Sequence, residues 1–167
     1  MPLHMRAWEH AVKSQRGRWE FDYLFSMKGK PDKEIVEIYN AHFGLSLGIR
    51  ETLEKKDEYF RNHGDELKPV EPVLAIAVRY RGILPMAVAS GGTRKSVDFQ
   101  LEALGIKEYF TVILTADDGI RPKPDPDIFQ EASARLGVPP HQCQVFEDSD
   151  LGLEAARRAG MLSTDVR

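Results

Sequence analysis

The chain has 167 residues, which suits one domain, or one domain with a smaller insert, and is long enough to bury a core. Its formal net charge is −3, with acids and bases nearly balanced, so there is no basic stripe for a nucleic-acid backbone; nor is there a bilayer-length apolar run or an opening signal-peptide pattern. Cys143 is the only cysteine, which excludes an intramolecular disulfide and makes the cytoplasm the expected compartment.

Up to about residue 70 the pattern is helix and loop throughout. Met5, Trp8 and Val12 recur at helical spacing, with Pro2 suited to a first turn. Ile35, Ile38 and Tyr39 form a second stripe that ends near Gly44. Leu53, Tyr59 and Phe60 lie in a charged third segment that stops near Gly64.

Beyond "KPVEP" the pattern alternates. The helix-like "PVLAIAVRY" leads through Gly82 to the apolar run "ILPMAVA", read as a strand over 84–89. A stripe of Val97, Leu101 and Leu104 follows, ended by Gly105. Then come "FTVILTA", a helix from about Asp125 to Leu136, "CQVFE", a helix containing Ala155, Ala156 and Ala159, and finally "MLSTDVR". Short apolar runs alternating with helices predict a parallel sheet with helices on both faces. Such sheets bind ligands beyond the carboxyl ends of their strands, so the residues just after each run are the candidates for chemistry.

The first run ends in "ASGGTRKS". Ser90 offers a hydroxyl, the glycines leave backbone N–H groups approachable, and the next helix directs its positive end there. This suits a phosphate, although an ordinary Gly-rich turn with Thr93 as helix N-cap explains the residues equally. Neither a GxGxxG nor a GxxxxGK(S/T) fingerprint is present. The second run ends in "TADDGIRPKPDPDIF", where Lys123 stands between Pro122 and Pro124. Alone it reads as a surface charge; at a sheet edge it can neutralise a phosphate. Asp117 and Asp118 read as turn residues, and Asp125–Pro126 as an N-cap and first helical residue. The third run ends in "VFEDSDLGLEAARRAGM", where the chain leaves the sheet and Glu147 and Asp148 can converge on a Mg²⁺ ion. The competing reading has these acids favouring a helix N-terminus capped by Ser149 or Asp150.

Taken together and in this order, "VASGG", "RPKPDPDIF" and "VFEDSDLGLEAARRAGM" resemble the second, third and fourth motifs of the haloacid dehalogenase superfamily. The match is to its branch of phosphatases and phosphoglucomutases with a helical cap. "PLHMRAWEHAV" resembles the first cap helix of the fructose-1-phosphatase and beta-phosphoglucomutase group; "MKGKPDKE" is a weaker likeness. The resemblance implies a Rossmannoid α/β core over 71–167 and a small helical cap over 1–70. It also implies that Ser90 and Gly91 hold the transferring phosphoryl group and that Lys123 neutralises it. Asp148 is implied as a direct Mg²⁺ ligand, with Glu147 binding directly or through water. His4, Lys28 and Lys30 are weaker candidates for substrate contacts from the cap; His4 and Trp8 also read as a helix face packed on a core.

One departure stands out. The family's DxDGT motif, which carries the Asp nucleophile and the Asp general acid on the first, central strand, does not occur in the sequence. The expectation is therefore a chain cut at its amino end, missing a strand between those ending at Ser90 and Glu147. The intact protein is expected to be a monomeric, Mg²⁺-dependent phosphatase of a small phosphorylated metabolite, working through an aspartyl-phosphate. A beta-phosphoglucomutase is the near alternative. It would carry an arginine shortly after the cap glycine, where Gly29 is followed by Lys30, Pro31 and Asp32. A non-catalytic phosphate-binding protein is the alternative of another class.

Overall fold

The structure, a computed structural model, describes residues 3–167 and divides into two compact units, one ending at Leu67 and the other running from Lys68 to Arg167. The expected first-turn role of Pro2 lies outside the described residues.

The first unit is wholly helical among the described residues: α1 (Leu3–Ser14), the short α2 (Phe21–Phe25), α3 (Asp32–Phe43) and α4 (Ile49–Asn62). Met5, Trp8 and Val12 fall on one face of α1 at helical spacing, and all three are buried against Ile35, Val36 and Tyr39 of α3 and their neighbours. Helix α3 stops at Gly44, whose φ of 63° lets its N–H return to the carbonyl of Asn40. The buried Tyr39 hydroxyl is satisfied twice, donating to the Arg18 carbonyl at 2.9 Å and accepting from the Glu20 N–H at 2.8 Å. Helix α4 buries Thr52, Lys56 and Phe60, so its inner face carries a lysine that the charged sequence does not single out. Lys56 pairs with Asp32, also buried, and its Nζ lies 4.7 Å from the centre of the Trp8 ring.

The second unit is α/β. Helix α5 (Glu71–Tyr80) is followed by β1 (Ala87–Ala89), α6 (Arg94–Ala103), β2 (Val112–Leu114), α7 (Asp127–Leu136), β3 (Gln144–Glu147), α8 (Asp150–Arg158) and β4 (Leu162–Asp165). Strand β1 pairs in parallel with β2, Ala87 opposite Val112, and β3 pairs in parallel with β4, Gln144 opposite Leu162. Helix α7 packs on β1 and β2, while α8 packs on β3 and β4. One apolar cluster serves both pairs: Leu114, Val145, Phe129 and Ala155 belong to it, with Ala87 and Ala89 packed at its margin.

Two local expectations need correction. The strand read over 84–89 is confined to Ala87–Ala89, because Ile83 and Leu84 turn back to the Tyr80 carbonyl and stay exposed, and Pro85 has no N–H for a ladder. The helix expected from Asp125 begins at Asp127, after a Pro126 whose carbonyl accepts from Phe129 and Gln130. The parallel sheet comes as two two-stranded pairs, in keeping with the expected gap between the strands ending at Ser90 and Glu147, and among the described residues β1 and β3 each pair with one neighbour only. No helix among the described residues is long and apolar enough to cross a membrane.

Candidate active site

The carboxyl ends of β1 and β3 are joined by one side chain. Lys123, in the loop between β2 and α7, sits between two prolines and begins a cis peptide to Pro124. Its ammonium donates to Glu147 Oε2 at 2.6 Å and to the Ala89 carbonyl at 3.2 Å. Both members of this ion pair are buried, Lys123 at 8% and Glu147 at 9% exposure, so solvent screens the pair little. The Phe129 ring centre, 4.9 Å from Nζ, lines the same position.

Glu147 is the last residue of β3, and its second oxygen is fully engaged. Oε1 accepts from the N–H groups of Asp148 and Ser149, each at 3.1 Å, and from the Ser149 hydroxyl at 2.7 Å. Burial pushes this carboxyl up, but Lys123, Ser149 and the Asp148 N–H together outweigh it and hold its pKa below the ordinary glutamate value. Glu147 is therefore an anionic anchor for Lys123, with no oxygen left bare. Asp148, one residue further, is half-buried and joins this network through its backbone N–H.

Ser149 also caps α8: its hydroxyl oxygen accepts from the Gly152 N–H at 3.1 Å. The cap is thus Ser149, and Asp150, the other candidate, is the first helical residue, where its charge favours the helix end. Across the site, Ser90 follows β1 directly, and its Oγ accepts from the Gly92 N–H at 3.1 Å. Gly91 lies in the same loop, ahead of α6, which Thr93 caps by accepting from Ser96. Asp117 and Asp118 form a helical turn after β2, where Asp118 accepts from Thr115 and pairs with Arg94 at 2.8 Å.

Lys123, Glu147 and Asp148 thus sit together at the carboxyl ends of the strands, with the Ser90 loop beginning at the residue after Ala89, which Lys123 touches. His4, Lys28 and Lys30 belong to the helical unit. The exposed His4 accepts at Nε2 from Trp8 Nε1 at 3.3 Å, Lys28 lies 5.6 Å from the Phe25 ring, and Lys30 pairs with Glu34 at 2.5 Å. Sequence reasoning missed the Ser149 hydroxyl as a ligand of Glu147 and the contact of Gly152 with the same carboxylate. The Ser-x-x-Gly spacing after an acid was the available signal.

A family profile for haloacid dehalogenase-like hydrolases matches residues 2–166. The chain belongs to that family. Fructose-1-phosphate phosphatase YqaB of Escherichia coli (strain K12) is 32% identical to this member over 99% of the chain and 88% of that protein. Validoxylamine A 7'-phosphate phosphatase of Streptomyces hygroscopicus subsp. limoneus is 41% identical over 93% of the chain and 73% of that protein. Among solved structures of the family, CbbY from Rhodobacter sphaeroides in complex with phosphate superposes with a TM-score of 0.79 at 28% identity, covering 96% of this chain and 77% of that one.

Proposed function

We propose that the protein is a Mg²⁺-dependent phosphatase of a small sugar-phosphate-type monoester, working through an aspartyl-phosphate. The observation that carries the reading is the Lys123 ammonium, held by Glu147 and the Ala89 carbonyl at the carboxyl ends of β1 and β3. A fixed positive charge at a parallel-sheet edge, beside the Ser90–Gly92 loop and the amino end of α6, is complementary to a phosphoryl group gaining negative charge. Two relatives, a fructose-1-phosphate phosphatase and a validoxylamine A 7'-phosphate phosphatase, support the phosphomonoester class.

In this reading Lys123 neutralises phosphoryl oxygens, and the Ser90 hydroxyl and Gly91 backbone orient them. Mg²⁺ needs only one or two protein carboxylates together with water and a phosphate oxygen. The family resemblance makes Asp148 the direct ligand, and Glu147, whose Oε1 accepts three hydrogen bonds, serves as the outer anchor. Bound there, the ion would supply charge neutralisation to the phosphoryl group. The helical unit acts as the substrate-selecting cap, with His4, Lys28 and Lys30 as contacts. Gly29 is followed by Lys30, Pro31 and Asp32, where a beta-phosphoglucomutase would carry an arginine, and this favours hydrolysis over transfer.

The nucleophile and general acid belong to a DxDGT strand that the sequence does not contain. The reading puts this strand between β1 and β3, which have no partner on their second edges among the described residues. The test is phosphate release from a panel of phosphorylated metabolites by a form carrying such a strand, with and without Mg²⁺. Turnover that needs both Mg²⁺ and Lys123 supports the reading. Phosphate binding with no turnover on any substrate favours the non-catalytic alternative.

A further inference from the structure

Gly152 lies inside α8, where a glycine has no conformational reason to be. Its φ is not positive, so a left-handed turn does not explain it either. What explains it is space. A Cβ built at Gly152 would overlap Cγ, Cδ and Oε2 of Glu147, whose side chain lies directly against the bare Cα. The same residue donates its N–H to Ser149 Oγ at 3.1 Å, and Ser149 Oγ in turn donates to Glu147 Oε1 at 2.7 Å. Glu147 is thus held from two sides by the first turn of α8, and its remaining oxygen faces Lys123 at 2.6 Å.

We propose that Gly152 and Ser149 are positioning residues for Lys123, forming a seat in the first turn of α8 that holds Glu147 so that it fixes the lysine at the strand ends. The proposal rests on the phosphatase reading for its functional meaning, but its geometry does not. The seat works because three features coincide. The missing side chain at 152 admits the carboxylate, the Ser149 hydroxyl and two backbone N–H groups saturate one oxygen, and the other is left for a single cation. The chain of contacts runs from Gly152 through Ser149 and Glu147 to Lys123 and the Ala89 carbonyl at the end of β1. A methyl group at 152 displaces Glu147, and Lys123 loses its stronger partner.

Local helix chemistry predicts the opposite sign. Within a helix, alanine is favoured over glycine, so a residue that served only the helix would tolerate Gly152→Ala or gain from it. A double-substitution cycle separates the two accounts: the original chain, Gly152→Ala, Glu147→Ala and both together. The first readout is the acylation rate of Lys123 by an amine-directed reagent, followed by peptide mass spectrometry; the second is binding of inorganic phosphate. Gly152→Ala should raise Lys123 labelling by about tenfold or more, the factor that goes with losing one hydrogen bond to a charged group. In the Glu147→Ala background the same substitution should change labelling not at all, because nothing remains to be displaced. Ser149→Ala should raise labelling by less, since two backbone N–H groups still hold Oε1. If Gly152→Ala alone fails to fold while the double variant folds, the clash runs through Glu147 and the proposal stands. Unchanged labelling in a folded Gly152→Ala, or an equal rise in both backgrounds, overturns it. Should the labelling cycle behave as described while no form binds phosphate or releases it from a monoester, the seat stands and the phosphatase reading falls.

Discussion

Lys123 and Glu147 form a buried ion pair, Nζ to Oε2 at 2.6 Å, that ties the loop after β2 to the end of β3. Removing one partner of such a pair strands the other charge in a poorly solvated place, which costs about 3–5 kcal/mol, whereas replacing both with apolar groups is often neutral. Lys123→Met and Glu147→Leu should each lower the unfolding free energy by roughly that amount, and the double variant by much less. Urea melts of the four proteins measure it. Equal and additive losses would show that the two groups are not coupled.

Catalysis should divide these variants differently from stability. Lys123→Met removes the cation proposed to meet the phosphoryl group, so in a form with turnover kcat should fall by about 10²–10³, as for loss of one preorganised donor. The double variant should stay equally inactive even where its stability recovers. Initial-rate kinetics at saturating substrate check this.

The pH dependence of stability follows from Glu147. Its pKa in the folded protein lies below the ordinary value of 4.5, so the stabilisation is present above that value and is lost as pH falls from it towards the folded pKa. Glu147→Gln should be less stable at neutral pH. Its stability should also decline less steeply than that of the original chain below about pH 4.5. Denaturant midpoints across the acid range give the comparison, and parallel curves would count against the assignment.

Much of this was legible because periodicity reports burial. Met5, Trp8 and Val12 mark the inner face of α1, and the runs "TVIL" and "QVFE" contain β2 and β3. Hydrophobicity alone misplaced the start of β1, since Ile83 and Leu84 are as apolar as a strand yet remain 71% and 53% exposed. The place of Lys123 at the strand ends was legible from its two prolines and its position after a strand, but its pairing with Glu147 was not. Hydrogen-bond saturation of Glu147 depends on where the Ser149 hydroxyl rotates and how closely α8 approaches, and neither leaves a mark on composition. The division of the sheet into two pairs agrees with the gap expected between the strands ending at Ser90 and Glu147.

Lys56 shows the same limit in the helical unit. It reads as one charge among many in "ETLEKKDEYFRN", but it stands four residues from both Thr52 and Phe60 on the buried line of α4. Its pairing with the buried Asp32 predicts that Lys56→Ala destabilises this unit by about 3–5 kcal/mol. Lys56→Met together with Asp32→Leu should recover most of the loss. Thermal melts followed by circular dichroism measure both, and a Lys56→Ala protein as stable as the original would refute the pairing.

The central proposal is that this member of the haloacid dehalogenase-like hydrolases acts as a phosphatase when a DxDGT-bearing strand is seated between β1 and β3. The most direct measurement is a side-by-side melt and phosphate-release assay, with Mg²⁺, of the chain as it stands and of a form extended by a DxDGT-bearing strand. Among the described residues β1 and β3 each pair on one edge only, and strand edges left unpaired weaken a domain and invite association. The account predicts that the extended form unfolds cooperatively and releases phosphate, while the shorter chain melts broadly and shows no turnover. A shorter chain that melts as cooperatively as the extended one and hydrolyses a phosphomonoester at a comparable rate would contradict it.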